Sequence, residues 1–392
     1  MSGLNDTPRA NRTHIAVFGK TNAGKSSIIN RIAGSEAALV SNVPGTTTDP
    51  VYKSMELLPL GPVVLIDTAG IDDTTELAEL RVKKTGEVVD KTDLALMVIR
   101  AGDTDTSAEQ KYREIFRKKG TPVLSVYNIF KGEPGDYFAK PPADAVLVNA
   151  VSGYGIEELK KAIAQKAGAD DELPLTAGLV KPGDVVVLVM PQDIQAPKGR
   201  LILPQVQVLR DLLDTGAMAV SVKTEDLTGI LGELKHPPAL VISDSQVFAY
   251  VDAHLDKSVP LTSFSMLMAR SKGDIKAFID GALQIRNLHP GDRVLIAESC
   301  THHAQKGDIA RDKLPRWLNE YVGGELDFTT SSGHGFPDDI GSYKLIVHCG
   351  GCMINRKNML SKIARAEEAG VPITNFGVAI AFLNGILDRV SI

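Results

Sequence analysis

The stretch Gly19-Lys20-Thr21-Asn22-Ala23-Gly24-Lys25-Ser26 constrains the fold of this chain more than any other. It follows Thr13-His14-Ile15-Ala16-Val17-Phe18, which reads as a buried strand, and it opens an apolar helical pattern from Ser27 to Ile32. G-x-x-x-x-G-K-S between a strand and a helix is a phosphate-binding loop. Its N–H groups cradle phosphates at the N-terminus of the helix, where the helix dipole favours negative charge. A chain built around such a loop begins as an α/β domain. Lys25 is expected to reach the β- and γ-phosphates and Ser26 to hold Mg²⁺, with Gly19, Asn22, Ala23, Gly24 and Ser27 around the nucleotide.

Downstream residues extend this reading. Pro44-Gly45-Thr46-Thr47-Thr48-Asp49 is rich in hydroxyls. A threonine here, Thr46 or Thr47, ligands Mg²⁺ only when a γ-phosphate is present, which makes a switch. Val63–Ile66 is an apolar strand ending in Asp67-Thr68-Ala69-Gly70. Asp67 is expected to support Mg²⁺ and the Gly70 N–H to sense the γ-phosphate. Residues 71–76 read as a second switch. Lys25, Thr47, Asp67 and Gly70 are therefore the candidate catalytic residues. Strands at Asp93–Ile99, Pro122–Tyr127 and Ala145–Val148 alternate with helical patterns at Ala108–Lys118 and Ile156–Ala167, which implies a parallel, doubly wound sheet.

The order of these segments resembles the small GTPases, in particular the TrmE-Era-like group with Pro-Gly-Thr-Thr and Asp-Thr-Ala-Gly switches. The resemblance implies GTP as ligand and implies that Asn22 helps to bind K⁺ beside the phosphates. Ile71 stands where some GTPases carry a water-orienting glutamine, so hydrolysis is expected to be slow or to need a group supplied by reorganisation or by a partner. The guanine-reading motif of that family is Asn-Lys-x-Asp, and here the strand ends in Asn128-Ile129-Phe130-Lys131. Lys131 occupies the place of the aspartate. Asn149-Ala150-Val151 replaces Ser-Ala-x, with the Ala150 N–H still able to meet the guanine O6. Guanine selectivity weaker than that of a typical GTPase is expected.

The chain has 392 residues, 43% of them hydrophobic, enough for three domains with their own cores. The expected division is a GTPase domain at 1–167, a linker at 168–183, a small α/β middle domain at 184–260 and a C-terminal α/β domain at 261–392. The middle domain shows a strand–helix rhythm (Val185–Val189, Gln207–Leu213, Ala217–Val222, Asp226–Leu234, Ala239–Ile242, Ser245–His254) but no nucleophile, base pair or metal spacing. It reads as a structural or subunit-pairing module. A long amphipathic helix, Ser265 to Asn287, is expected to lead into the last domain. Net charge is −5, from 43 basic and 48 acidic residues, which argues against a general nucleic-acid binder. No apolar run reaches membrane-spanning length and no secretory signal opens the chain. Met1–Asn11 reads as a polar tail.

All three cysteines fall in two short segments, Cys300-Thr301-His302 and His348-Cys349-Gly350-Gly351-Cys352. Three cysteines without a framework pattern fit a reducing cytoplasm. The strands Arg293–Glu298 and Leu345–Val347 deliver these segments at their carboxyl ends, where open α/β sheets bind ligands. Ile373–Gly377 is expected to be a third strand. Thiolates and imidazoles converging from two loops suit a soft metal. An iron–sulfur cluster, a Cys₃His zinc site and a disulfide with one cysteine left over all use these side chains. In a cubane held by three thiolates the fourth iron falls to His302, His348, a carboxylate such as Asp308, or solvent. His303, His334 and the mixed-charge stretch Arg311–Arg316 read as solvated.

A phosphate loop joined to Cys-x-His and, after the long spacer from His303 to Val347, to His-Cys-x-x-Cys resembles the FeFe-hydrogenase maturation GTPases. Asp193–Arg200 and Pro372–Gly377 also resemble that family, and the likeness covers nearly the whole chain. It implies a dimerisation domain in the middle and a 4Fe-4S cluster on Cys300, Cys349 and Cys352. It further implies a two-iron precursor received from two radical-SAM hydrogenase maturases and passed to apo FeFe-hydrogenase, with nucleotide gating the docking or release of partners. Two other readings use the same residues. One is a GTPase of ribosome or RNA assembly with a structural zinc module, which predicts a basic face. The other is a redox enzyme, which predicts a fully ligated cluster.

Overall fold

The computed structural model describes residues 7–34, 50–72, 78–132, 134–138, 142, 144–167, 174–191, 201–299, 308–333 and 335–392, with the backbone alone at 78–83. The expected switch threonines Thr46 and Thr47, the stretch Asp193–Arg200, and Cys300, His302, His303 and His334 lie outside the described residues. The chain forms two compact units, Met1–Asp171 and Glu172–Ile392.

In the first unit β1 (Thr13–Phe18) runs through the phosphate loop into α1 (Lys25–Ala33). There follow β2 (Val51–Leu57), β3 (Gly61–Asp67), α2 (Ala78–Asp90), β4 (Leu94–Arg100), α3 (Ser107–Lys118), β5 (Val123–Asn128), β6 (Ala145–Val148) and α4 (Ile156–Ala167). The sheet order is β2-β3-β1-β4-β5-β6. β2 is antiparallel to β3, and every other pairing is parallel. Six of the seven β4 residues are buried, as expected of a strand with helices on both faces. β2 is an element the sequence pattern did not disclose: Tyr52, Lys53, Ser54 and Glu56 give it an edge strand's polarity.

The second unit carries two sheets. The first holds β7 (Val185–Val189), β8 (Met218–Val222), β9 (Leu240–Ser243) and β10 (Leu261–Ser263), with α5 (Leu203–Thr215), α6 (Leu227–Glu233) and α7 (Phe248–His254) between them. Two helices follow, α8 (Phe264–Lys272) and α9 (Ile275–Leu283). The second sheet holds β11 (Arg293–Glu298), β12 (Asp327–Ser332), β13 (Leu345–His348) and β14 (Ile373–Asn375), with α10 (Leu314–Val322), α11 (Arg356–Glu368) and α12 (Phe376–Leu383). Part of the segment read as a linker is stitched in: the Leu175 and Thr176 N–H groups both donate to the Asp211 carboxylate on α5, at 2.9 Å each. The single long helix expected from Ser265 to Asn287 is instead α8, α9 and a 3-10 turn at Gln284–Asn287. Gly273 ends α8, and the Asp274 carboxylate accepts from the Ala277 N–H to start α9, so the dipeptide is a stop and a start in succession.

The two sheets repeat one pattern. Their orders are β10-β9-β7-β8 and β12-β11-β13-β14, the same parallel arrangement read from opposite edges. Each opens with Pro-Gly-Asp, Pro182-Gly183-Asp184 and Pro290-Gly291-Asp292. In each, the aspartate accepts from the N–H three residues back, Lys181 at 2.9 Å and His289 at 2.8 Å. Each last strand ends in a side chain that caps the following helix: Ser263 accepts from Met266 N–H, and Asn375 from Val378 N–H. The repeat sets Ser243-Asp244 at the place in the first sheet that His348-Cys349 takes in the second. Both places lie at the carboxyl ends of adjacent parallel strands whose connections leave in opposite directions.

Candidate functional site

Gly24 takes φ +93°, and a Cβ there would sit 2.1 Å from Asn128 Nδ2, so the turn into α1 requires glycine. No side chain caps α1, which leaves its first-turn N–H groups to a ligand. Lys25 is buried, and its Nζ donates to Gly19 O and Lys20 O, each at 2.9 Å, bridging the loop's two limbs. Burial pushes its ammonium below the usual lysine range, against the opposing pull of Asp67 and Asp72. The Ser26 hydroxyl donates to Asp67 Oδ2 at 2.5 Å, while Asp67 Oδ1 is buried with no partner among the described residues. A serine hydroxyl beside an unsatisfied carboxylate oxygen is the donor set Mg²⁺ takes. Asn22 holds the left-handed conformation at φ +60° in the middle of the loop. The loop's other face is tied by a residue that sequence reasoning missed: Asp72 Oδ1 accepts from the Thr21 N–H at 2.7 Å and from its hydroxyl at 3.0 Å. Nothing in the local sequence singles out Asp72, because the contact joins residues from separate segments.

The base end is anchored by Asn128, whose Nδ2 donates to Ala23 O at 3.0 Å and whose Oδ1 accepts from the Ala150 N–H at 3.3 Å. Phe130 is 41% exposed, with the Arg100 guanidinium 4.9 Å from its ring centre. Lys131, also exposed, follows it.

In the second unit Cys349 and Cys352 are free thiols of intermediate exposure. The Ser299 N–H donates to Cys349 Sγ at 3.2 Å, an N–H···S bond of the kind that supports a thiolate ligand. Gly351 takes φ +64°, a left-handed conformation that favours glycine in the loop between the thiols. Burial, and then Cys349 beside it, push the Cys352 thiol up from its ordinary value. His348 is one of the two histidines expected as candidates for the fourth ligand. It is fully buried, with Nδ1 2.6 Å from Cys349 O and Nε2 3.2 Å from Ser299 Oγ. Burial, helped by Lys362, lowers its pKa to about 3, so the ring is neutral and braces Cys349 and the Ser299 whose N–H meets the Cys349 sulfur. Asp308 is engaged too: its Oδ1 accepts from the Ala310 N–H at 2.8 Å. Arg311, read as solvated, pairs with the buried Glu298 at 3.3 Å. Among the described residues no three His, Cys, Asp or Glu side chains converge on one point, Cys300 and His302 lying outside them. The donor set that is described, two reachable thiols at strand ends with N–H support, fits a soft metal.

A strand-borne phosphate loop, a Ser26–Asp67 pair for Mg²⁺ and an asparagine bridging the loop to the Ala150 segment define a P-loop GTPase domain. Residues 14–129 match the family model of the 50S ribosome-binding GTPase. Residues 175–273 match the hydrogen maturase F dimerization domain, and residues 276–391 the hydrogen maturase F tetramerization domain. These three in this order are the architecture of the HydF hydrogenase maturases, and the chain belongs to that family.

Among curated relatives, the tRNA modification GTPase MnmE of Nitrosomonas europaea is 33% identical over 164 residues, 39% of this chain and 34% of that protein. The GTPase Der of Allorhizobium ampelinum is 31% identical over 180 residues, 44% of this chain and 38% of that protein. The chain therefore spans well under two thirds of these relatives, and the likeness is to their GTPase portion. A crystal structure of an Era variant from Aquifex aeolicus is 21% identical and covers 54% of this chain and 92% of that one, with a TM-score of 0.33. No helix among the described residues is long and apolar enough to cross a membrane.

Proposed function

We propose that this protein is a nucleotide-gated scaffold and carrier in FeFe-hydrogenase maturation, working as a homodimer or higher oligomer in a reducing cytoplasm. Its domains run 1–167, 184–260 and 261–392 as the sequence divides them, except that β10 at Leu261–Ser263 completes the middle sheet; the last is the cluster domain. The observation that carries this is the pairing, in one chain, of a phosphate loop with the Cys349–Cys352 loop at a strand end inside the tetramerization domain. Cys300, Cys349 and Cys352 would hold a 4Fe-4S cluster. When bound, that cluster supplies an iron that no cysteine holds, to which another group can be attached. The cargo is a two-iron precursor made by two radical-SAM maturases and delivered to apo FeFe-hydrogenase. His302 and His348 are the first candidates for the fourth position, then Asp308 or solvent; His348 also braces Ser299 and Cys349.

At the other end Lys25 and the loop N–H groups bind the phosphates of GTP. Ser26 and Thr47 hold Mg²⁺ with the support of Asp67. Gly70 senses the γ-phosphate, and Asn22 helps to hold K⁺. Ile71 cannot orient a water, so turnover is slow; the K⁺ held with Asn22 stimulates it.

Anaerobic purification with iron, sulfide and zinc analysis tests the reading. Iron and sulfide in equal amounts are expected, lost for the most part in Cys300→Ala, Cys349→Ala and Cys352→Ala, because each removes a strong anionic ligand. His302→Ala and His348→Ala should keep iron, with altered electron paramagnetic resonance of the reduced cluster and weaker hydrogenase activation. Full iron retention in all three cysteine variants would falsify the cluster site. A second reading, a ribosome- or RNA-assembly GTPase with structural zinc, is favoured by the name of the matched GTPase model. Stoichiometric zinc without sulfide would favour it over the cluster reading.

A further inference from the structure

Lys272 is the last residue of α8, a helix that starts from the end of the first sheet of the second unit, yet its side chain reaches the cysteine loop of the second sheet. It is only 7% exposed. Its Nζ donates to Ile354 O at 3.0 Å and to Gly351 O and Cys352 O at 3.3 Å each. Three main-chain carbonyls of the loop thus accept from one ammonium group. The loop answers in kind. Arg356, the first residue of α11, donates from Nη1 to Ser271 O and, at 3.2 Å, to Gly273 O. Those carbonyls close α8, where a helix lacks donors of its own. A cation from each side satisfies the main chain of the other.

Burying a lysine is expensive unless its protons are matched. The loop bonds one of these carbonyls itself, Ile354 N–H to Gly351 O at 3.1 Å, and still turns all three toward the charge. The charge lies beside a loop whose two thiols ionise when they take a metal.

We propose that Lys272 is the positioning residue of the metal site. It fixes the Gly351–Ile354 carbonyls, and so the directions in which Cys349 and Cys352 present their sulfurs, and it sets a positive charge next to ligands that turn negative on binding. This rests on the metal-site reading above. It also gives α8 a part in both sheets of the unit: the helix is capped by Ser263 at the end of the first sheet and delivers Lys272 to the second.

The test uses the full chain. Lys272→Met removes donors and charge at similar length, and Lys272→Gln keeps donors but removes the charge. After anaerobic reconstitution with iron and sulfide, Lys272→Met should hold iron about 10- to 100-fold more weakly against a chelator, the usual effect of deleting a partner of a metal ligand. Lys272→Gln should hold iron better than Lys272→Met. Both variants should lower the midpoint potential of the cluster, because a nearby cation stabilises the more negative, reduced form. A merely structural tie between the sheets would not move the potential in a variant that still loads. Wild-type iron retention and potential in Lys272→Met overturn the proposal. Should that variant be insoluble, a wild-type potential in Lys272→Gln does the same. Cys352→Ala separates the two ideas: iron retained there overturns the metal-site reading and leaves the positioning role to the metal-free protein. In that form, at a pH high enough to ionise the thiols in both proteins so that the lost charge no longer sets the thiolate fraction, faster alkylation of Cys349 in Lys272→Met supports the role, and an unchanged rate overturns it.

Discussion

Asn128 has both ends of its amide committed, to Ala23 O and to the Ala150 N–H, so the strand end is held in register against the phosphate loop. Lys131 then stands three residues on, in the place of a guanine-reading carboxylate. Guanine presents N–H donors there, and an ammonium is also only a donor, so Lys131 cannot accept them. An unmade bond to a charged acceptor costs about 1.5–3 kcal/mol, roughly one to two powers of ten in affinity. Phe130, half exposed beside the Arg100 guanidinium, offers a stacking face that does not distinguish the bases. Competition binding should therefore show only a weak preference for GTP over ATP. Lys131→Asp should raise that preference about 10- to 100-fold. If the unaltered protein already prefers GTP by several orders of magnitude, another residue reads the base. Lys131 was legible in the sequence, since it is a substitution within a short motif. Asp72, Lys272 and the buried state of His348 were not, because each depends on partners many residues away.

At the scale of elements, α9 rides on β14 through a glycine. A Cβ on Gly281 would lie 2.0 Å from Ile373 O, and the Thr374 hydroxyl donates to Phe278 O at 2.8 Å on the same seam. Helix propensity alone predicts that Gly281→Ala stabilises by about 1 kcal/mol. The clash is with main chain and cannot be relieved by a rotamer, and overpacking of this kind costs about 1–3 kcal/mol. The clash wins, and denaturant unfolding of the second unit should shift to lower concentration. An upward shift would mean that α9 and β14 part more easily than their packing implies. The same seam shows why a helix continuous to Asn287 was the wrong expectation. The apolar spacing persists through Gly273-Asp274, but the chain must turn there to place Phe278 in the core beneath β14. β12 escaped notice for the opposite reason: Asp327, Thr329, Thr330 and Ser331 line an edge strand whose polarity matches that of a loop.

Across the whole molecule each unit closes its own core, around Ile15, Leu65 and Leu96 in the first and around Leu295, Ile346 and Phe278 in the second. Damage to one site should then leave the other intact. Lys25→Ala is expected to abolish GTP hydrolysis while iron and sulfide after reconstitution stay near the unaltered level. Unchanged GTP turnover in this variant would remove the phosphate loop from the mechanism. The sequence by itself determined the parts with short-range causes. The phosphate loop, the buried parallel strands and the cysteine loops at strand ends follow from spacing and from alternation of apolar residues, all local in the chain. Only the tertiary structure decided the parts made at a distance. It set the matching strand orders of the two later sheets, the neutral buried His348 braced between Ser299 and Cys349, and the exchange of cations between Lys272 and Arg356. Such contacts join residues that no local pattern links, and a buried charge is tolerated only where the completed fold supplies its partners.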